Sequence, residues 1–385
     1  MALPKLRFKE FGSGWNSIAI GTFLKIKSGL GFKAEEYTTA EEIRLLQIEN
    51  VGYGTVKWTH NVKYVPSDYL KLHEGLVLKE GDLVLALNRP VTNDQLKIAK
   101  LTKQDSPSIL YQRVGKLEFI KEEFDSNFIF QIFQKDVKNY VLNSSLGSDQ
   151  PFISTTDLYK YKLCLPSKEE QTKIASFLST VDEKIAQLTQ KHELLSQYKQ
   201  GMMQKLFSQQ IRFKADDGSE FGEWETLKFK DLINIKYGKD HKKLGDGNIP
   251  VLGTGGIMRY VDSYLYDGES ILIGRKGTIN KPQFISGKFW TVDTLFYTEI
   301  GKKILPKFAF QQLLLVNWLN LNEATGVPSL NTSSIGNIEI KVPCLDEQTK
   351  IANFLSAIDQ KIEVVVKQIE QAKQWKKGLL QQMFV

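Results

Sequence analysis

Cysteine and histidine are scarce in this chain, with two cysteines and four histidines in 385 residues. Cys164 and Cys344 do not occupy equivalent places in the internal repeat described below; they align instead with Lys341 and Ser167. They therefore suggest neither a disulfide framework nor a shared metal site, which fits a reducing, cytoplasmic setting. His60, His73, His192 and His241 are scattered and make no ligand pattern. Long apolar runs are missing as well. No stretch approaches the ~20 residues of a membrane span, and Met1 to Glu10 lacks the apolar centre of a signal peptide. No G-x-x-x-x-G-K-[ST] loop occurs. Gly253-Thr-Gly-Gly256 lacks the third glycine spacing and the following helix of a dinucleotide loop, so it reads as a tight turn. No serine sits in a G-x-S-x-G elbow and no cysteine–histidine pair is suggested. The sequence offers no catalytic constellation and no cofactor loop.

What it does contain, it contains twice. Glu170-Gln-Thr-Lys-Ile-Ala-Ser-Phe-Leu-Ser returns as Glu347-Gln-Thr-Lys-Ile-Ala-Asn-Phe-Leu-Ser, a shift of 177 positions. The shift holds from Pro151/Pro328 through Pro166/Pro343 and Lys199/Lys376 to Phe207/Phe384. Chance does not produce this; the chain is a tandem duplication. Each copy carries apolar residues at alternating spacings of four and three. Ile174, Leu178, Val181, Ile185 and Leu188 begin one stripe, which runs on through His192, Leu195, Lys199, Met202 and Leu206. Ile351, Leu355, Ile358, Ile362 and Val365 begin the other. A 3.5-residue period over more than four heptads predicts a coiled coil, and matching stripes make each helix the natural partner of the other. About 40 residues at ~1.5 Å give a rod of roughly 60 Å. Ser167 with Glu170 forms a capping-box pattern at the first start, and Asp346 is the expected cap of the second.

A second pair of matching starts, Leu6-Arg-Phe-Lys9 and Ile211-Arg-Phe-Lys214, opens two globular segments. The expected order is a domain over 1–165, a helix over 166–208, a domain over 209–342 and a helix over 343–385. Between the repeated elements the two domain sequences differ greatly. In the first, Ile43–Ile48 with Val51–Trp58, and Leu76–Leu87 around Glu80-Gly-Asp82, predict two hairpins. A helix is expected within Glu118–Val141. In the second, Ile249–Leu252 and Ser270–Ile273 predict buried strands, and Ile304–Leu321 a helix. The fold class is α+β, with two α/β domains separated by two long helices.

A net charge of +7 and an isoelectric point near 9.0 suit a polyanionic partner. The loops interleave basic, amide and aromatic residues. In the first domain these are Lys27, Asn50, Tyr53, Lys57, Asn88 and Arg89; in the second, Lys239, His241, Lys242, Lys243, Arg259, Arg275, Lys276 and Lys281. Arginine and lysine can grip phosphates or guanine edges, and asparagine can pair with adenine. These are the candidate DNA-binding residues; no residue is a candidate for catalysis or metal binding.

The strand–proline–E-Q-T-K-I-A sequence at Leu163–Ile174 and Ile340–Ile351, with Ala324-Thr-Gly-Val-Pro-Ser-Leu-Asn331 before the second helix, resembles the specificity subunit of type I restriction–modification systems. Gly147-Ser-Asp-Gln-Pro-Phe-Ile-Ser154 replaces the threonine–glycine form in the first half, so no contact role transfers there. The resemblance implies two target-recognition domains separated by two antiparallel helices with pseudo-twofold symmetry. Each domain would read half of a split, asymmetric site in double-stranded DNA. The helices would set the gap and hold two methyltransferase subunits, which carry S-adenosylmethionine; restriction/translocase subunits would join them. A coiled-coil scaffold that does not read DNA is the alternative, and it leaves two divergent basic domains unexplained.

Overall fold

A computed structural model of the chain describes residues 3–144 and 152–384. Gly147 to Pro151 of the departing motif lie outside the described residues. The chain forms two compact units. One comprises residues 1–187 with 369–385, the other residues 188–368.

In the first unit the strands are β1 (Asn16–Ala19), β2 (Leu24–Ser28), β3 (Ile43–Leu46), β4 (Tyr53–Thr55), β5 (Tyr64–Val65), β6 (Val77–Leu78), β7 (Leu83–Ala86), β8 (Val91–Thr92), β9 (Gln95–Leu96), β10 (Ile98–Lys100), β11 (Ser108–Leu110), β12 (Val114–Phe119) and β13 (Lys162–Leu165). The helices are α1 (Tyr69–Leu72), α2 (Ser126–Ser144), α3 (Thr155–Lys160) and the start of α4 (Lys168–Phe207). The two larger sheets are ordered β2-β12-β7-β10-β4 and β5-β3-β11-β6. Every residue of β7 is buried, as a central strand covered on both faces should be. Its alternation feeds two cores. Leu83, Leu85 and Leu87 join Phe128, Ile132 and Phe133 of α2, while Val84 and Ala86 join Leu45, Leu46, Ile109 and Leu110 of the second sheet.

The second unit holds β14 (Glu225–Lys228), α5 (Phe229–Leu232), β15 (Ile233–Tyr237), β16 (Ile249–Gly253), β17 (Gly256–Val261), β18 (Tyr266–Asp267), β19 (Ser270–Gly274), β20 (Gln283–Ile285), β21 (Lys288–Thr291), β22 (Leu295–Ile300), α6 (Pro306–Leu313), α7 (Thr332–Gly336), β23 (Glu339–Val342) and most of α8 (Leu345–Met383). Its sheets are ordered β15-β22-β19-β20 and β17-β16-β21-β18. This is the topology of the first unit with one edge strand fewer. The parallel pair β3–β11 recurs as β16–β21, and β1–β13 as β14–β23. β19 divides its side chains as β7 does: Ile271 and Ile273 face one core, Leu272 the other.

The two helices are antiparallel and shared between the cores. Ile174, Leu178 and Val181 of α4 meet Leu379, Met383 and Phe384 at the end of α8 in the first unit; Ile351, Leu355 and Ile358 of α8 meet Met203 and Leu206 in the second. The seam residues therefore pack against the domains as well as against each other. Leu188 and Val365 are also buried, while Ile185 and Ile362 are half-buried. At the far end Met203, not Met202, is the buried methionine.

Three repeated locks join domain to helix. Arg7 donates from Nε and Nη2 to the two carboxylate oxygens of Glu170, both at 2.7 Å, and Arg212 grips Glu347 in the same way at 3.0 and 2.7 Å. Both glutamates are fully buried, and each hydrogen-bonded arginine has its pKa raised. Gln171 donates to Pro166 O and accepts from Asp125 N, as Gln348 donates to Pro343 O and accepts from Leu305 N. Finally Asp182 takes Lys376 and Gln131, and Asp359 takes Lys199 and Gln311. The lysines in the heptad stripe thus pair with acids on the opposite helix. The E-Q of the repeated motif is a fastening between helix and domain.

The Ser167 hydroxyl does accept from Glu170 N, but Glu170 gives its carboxylate to Arg7 and closes no capping box. Asp346 lies inside the first turn of α8, so it is not the cap. Neither expected hairpin forms: β3 and β4 belong to different sheets, as do β6 and β7, although Gly81 does make the turn between the latter at φ +87°. The helix expected over 304–321 stops at Leu313, whose carbonyl takes the Trp318 indole as the chain folds back.

Candidate nucleic-acid interface

The central strand of each unit ends in a corner held by the same hydrogen bonds. After β7, Leu87 N donates to Arg113 O at 2.9 Å and Leu87 O accepts from Ile153 N at 2.7 Å. After β19, Arg275 N donates to Thr294 O at 2.8 Å and Arg275 O accepts from Leu330 N at 2.9 Å. Asn88 bridges Phe152 where Lys276 bridges Ser329. Leu87, Asn88, Arg89 and Arg113 therefore match Arg275, Lys276, Gly277 and Thr294. The Ala324–Asn331 motif fixes the second corner: Gly277 N reaches Pro328 O, Asn322 takes Ala324 N and Ser329 N, and Asn331 caps α7.

Around that second corner lies an open cleft of about 790 Å³, lined by Asp240–Lys242, Gly253–Met258 and Val292–Thr294. Its glycine loop is a two-residue β-turn, with Gly253 paired to Gly256 at φ +108°. Lys239 is fixed by its main chain, N to Thr291 O and O to the Trp290 indole, which leaves its side chain exposed. Lys242 and Lys243 are exposed, and His241 lines the cleft with a buried Nδ1 that has no hydrogen-bond partner. Arg275 stacks 5.5 Å from the Tyr237 ring and donates to Asp293 O; Lys276 beside it is exposed. The fold thus brings His241 and Lys242 to the cleft, with Lys239 next to them in sequence and Arg275 and Lys276 tied by their main-chain N–H groups to Thr294 O on its wall. Arg259 is engaged elsewhere, by Leu244 O and Asp246, and Lys281 is exposed on the loop between β19 and β20.

In the first unit the expected residues are less gathered. Tyr53 bonds Thr92 and Asn93, with the Lys57 ammonium 6.0 Å from its ring. Asn88 and Arg89 share the corner; Lys27 is half-buried on β2 beside Gly75. Asn50 is a correction. It is 1% exposed, accepts from Gln47 N and donates to Lys57 O, so its amide is spent inside a turn and cannot reach DNA. No neighbouring basic residue marks Arg113 in the sequence. Its signal is conformational: Arg113 at φ 67° and Arg89 at φ 45° are left-handed non-glycine residues, a state that costs about 1–3 kcal/mol each and collects at functional sites.

Among the described residues, no group of three or more metal-ligating side chains occurs, and no helix is long and apolar enough to cross a membrane.

The family described as type I restriction modification DNA specificity domain matches residues 12–197 and 222–374. The MjaVIII specificity subunit of Methanocaldococcus jannaschii is 36% identical over 214 residues, which cover 55% of this chain and 50% of that protein. The EcoAI specificity subunit of Escherichia coli is 30% identical over 176 residues, 46% of this chain and 29% of that protein. The matches span half or less of the length of these relatives. A solved S subunit of a type I restriction–modification system from M. genitalium superposes with a TM-score of 0.67 at 17% identity, covering 100% of this chain and 99% of that one. A structure concerned with complex assembly of a type I R-M system gives 0.53 at 16% identity, covering 97% and 98%. The fold is that of these subunits. With two tandem matches that each span a domain and most of the helix after it, the chain belongs to the type I restriction–modification DNA specificity family.

Proposed function

We propose that the chain is the non-catalytic, sequence-reading subunit of a type I restriction–modification complex. One observation carries the reading: two domains share topology and locks yet present unlike side chains from equivalent corners. A like frame with unlike readers suits a bipartite, asymmetric site in double-stranded DNA, one half per domain. The paired helices set the gap and dock two methyltransferase subunits, whose S-adenosylmethionine supplies the methyl group; restriction/translocase subunits complete the assembly. Basic side chains at the corners contact phosphates and base edges.

Exchanging residues 1–165 for the matching domain of a relative, followed by methylation mapping of the assembled complex, tests this. The expected outcome is a change in one half of the methylated sequence with the other half intact. A swap that altered both halves, or a chain that left methylation untouched, would overturn it.

A further inference from the structure

The matching corners hold their cations at different positions. In the second unit the cations are Arg275 and Lys276, while the next position is Gly277 and the facing turn supplies Thr294. The first unit has Leu87 and Asn88 at the first two places, with Arg89 and Arg113 at the others. Each corner therefore presents two cations, from complementary positions of one frame.

Arg89 and Arg113 are both exposed. No described hydrogen bond or ion pair occupies either guanidinium. They are not scattered surface charges: the Leu87 N to Arg113 O bond ties the two turns together, and Arg89 lies two residues beyond Leu87. Both hold a backbone conformation that glycine adopts without strain, and the second unit uses Gly277, φ 88°, in place of Arg89. A side chain kept where glycine would fit better indicates that the side chain is used.

We infer that Arg89 and Arg113 together form the DNA-gripping pair of the first domain, occupying the place that Arg275 and Lys276 fill in the second. The inference rests on the proposed reading of the chain. Its ligand is an acceptor oxygen or nitrogen of DNA, either a backbone phosphate or the O6/N7 edge of guanine, both of which suit a guanidinium fork.

The test uses the full chain assembled with its methyltransferase, on a duplex carrying the sequence that the unaltered complex methylates. The variants are Arg89→Gly with Arg113→Gly, and Arg89→Lys with Arg113→Lys. The glycine pair should leave Tm unchanged or raised, because strain is relieved, yet weaken DNA binding about tenfold or more. Its log–log salt slope should be shallower by about one to two units if phosphates are gripped. The lysine pair should then retain most of the affinity. If a guanine edge is read, the lysine pair should also fail, with lost methylation confined to changes in one half of the target. Either pattern supports the pair. A glycine pair that binds with unchanged affinity, slope and base preference overturns it, while specific binding by the unaltered complex keeps the reading of the chain intact. If the unaltered complex binds no specific site, that reading fails first.

Discussion

The two domains agree in what is buried and differ in what is exposed. Sheet order, locks and the division of the central strand between two cores recur from one to the other. At the corners, Leu87-Asn88-Arg89 stands against Arg275-Lys276-Gly277, with the backbone hydrogen bonds of Leu87 matched by those of Arg275. Duplication has preserved what holds the chain together and released what meets the solvent. Recognition can then change without a change in stability.

The most damaging way to break the likeness is to empty an equivalent site in each unit. Phe384, 2% exposed, packs on Trp15 and Phe128; its counterpart Phe207 is half-buried against Phe308. Phe384→Ala should cost about 3–5 kcal/mol and Phe207→Ala distinctly less. Urea unfolding of each variant measures the difference.

The arginine locks are next. Arg7→Ala strands the buried Glu170 carboxylate, at a cost of about 3 kcal/mol. Arg212→Ala should cost about 1 kcal/mol less, because the Trp224 indole still donates to Glu347 at 2.9 Å, whereas the Trp15 indole has no hydrogen-bond partner. Equal losses in denaturant titrations would mean that the indole bond contributes nothing.

A smaller, pH-dependent effect comes from Asp136 in the first unit. Burial raises Asp136 to about 6 against the partial pull of Lys135. The folded pKa exceeds the unfolded one, so the protonated fold is favoured. That stability is full below about pH 4 and is lost as pH rises through about 6. Asp136→Asn should therefore unfold like the parent near pH 4 and be more stable by at most about 2–3 kcal/mol at pH 8. Tm measured across that range reads the divergence.

Much of the frame was legible because its signals are local or repeated. The 4-3 spacing gave both helices, the 177-position shift gave their pairing, and the apolar runs gave β16 and β19. Strand partnership was not legible. β3 joins β11 and β4 joins β10, each across more than forty residues, while the intervening Asn50 turn has the composition of a hairpin. The same composition made Asn50 resemble a DNA contact, although its amide closes a turn. Arg113 stayed hidden for the opposite reason, since only the backbone conformation distinguishes it.

The sharing of helix ends between cores also bears on how the protein is made. Trp15, Phe128 and the start of α4 leave the ribosome early, yet Leu379, Met383 and Phe384 that complete their core are translated after the whole second domain. The second core waits for far less, since its share of α4 is already made when its own strands emerge. The nascent first domain must therefore persist with an open apolar face until the end of α8 has emerged. Its maturation is late, and its exposure to chaperones and proteases is longest, although its sequence comes first.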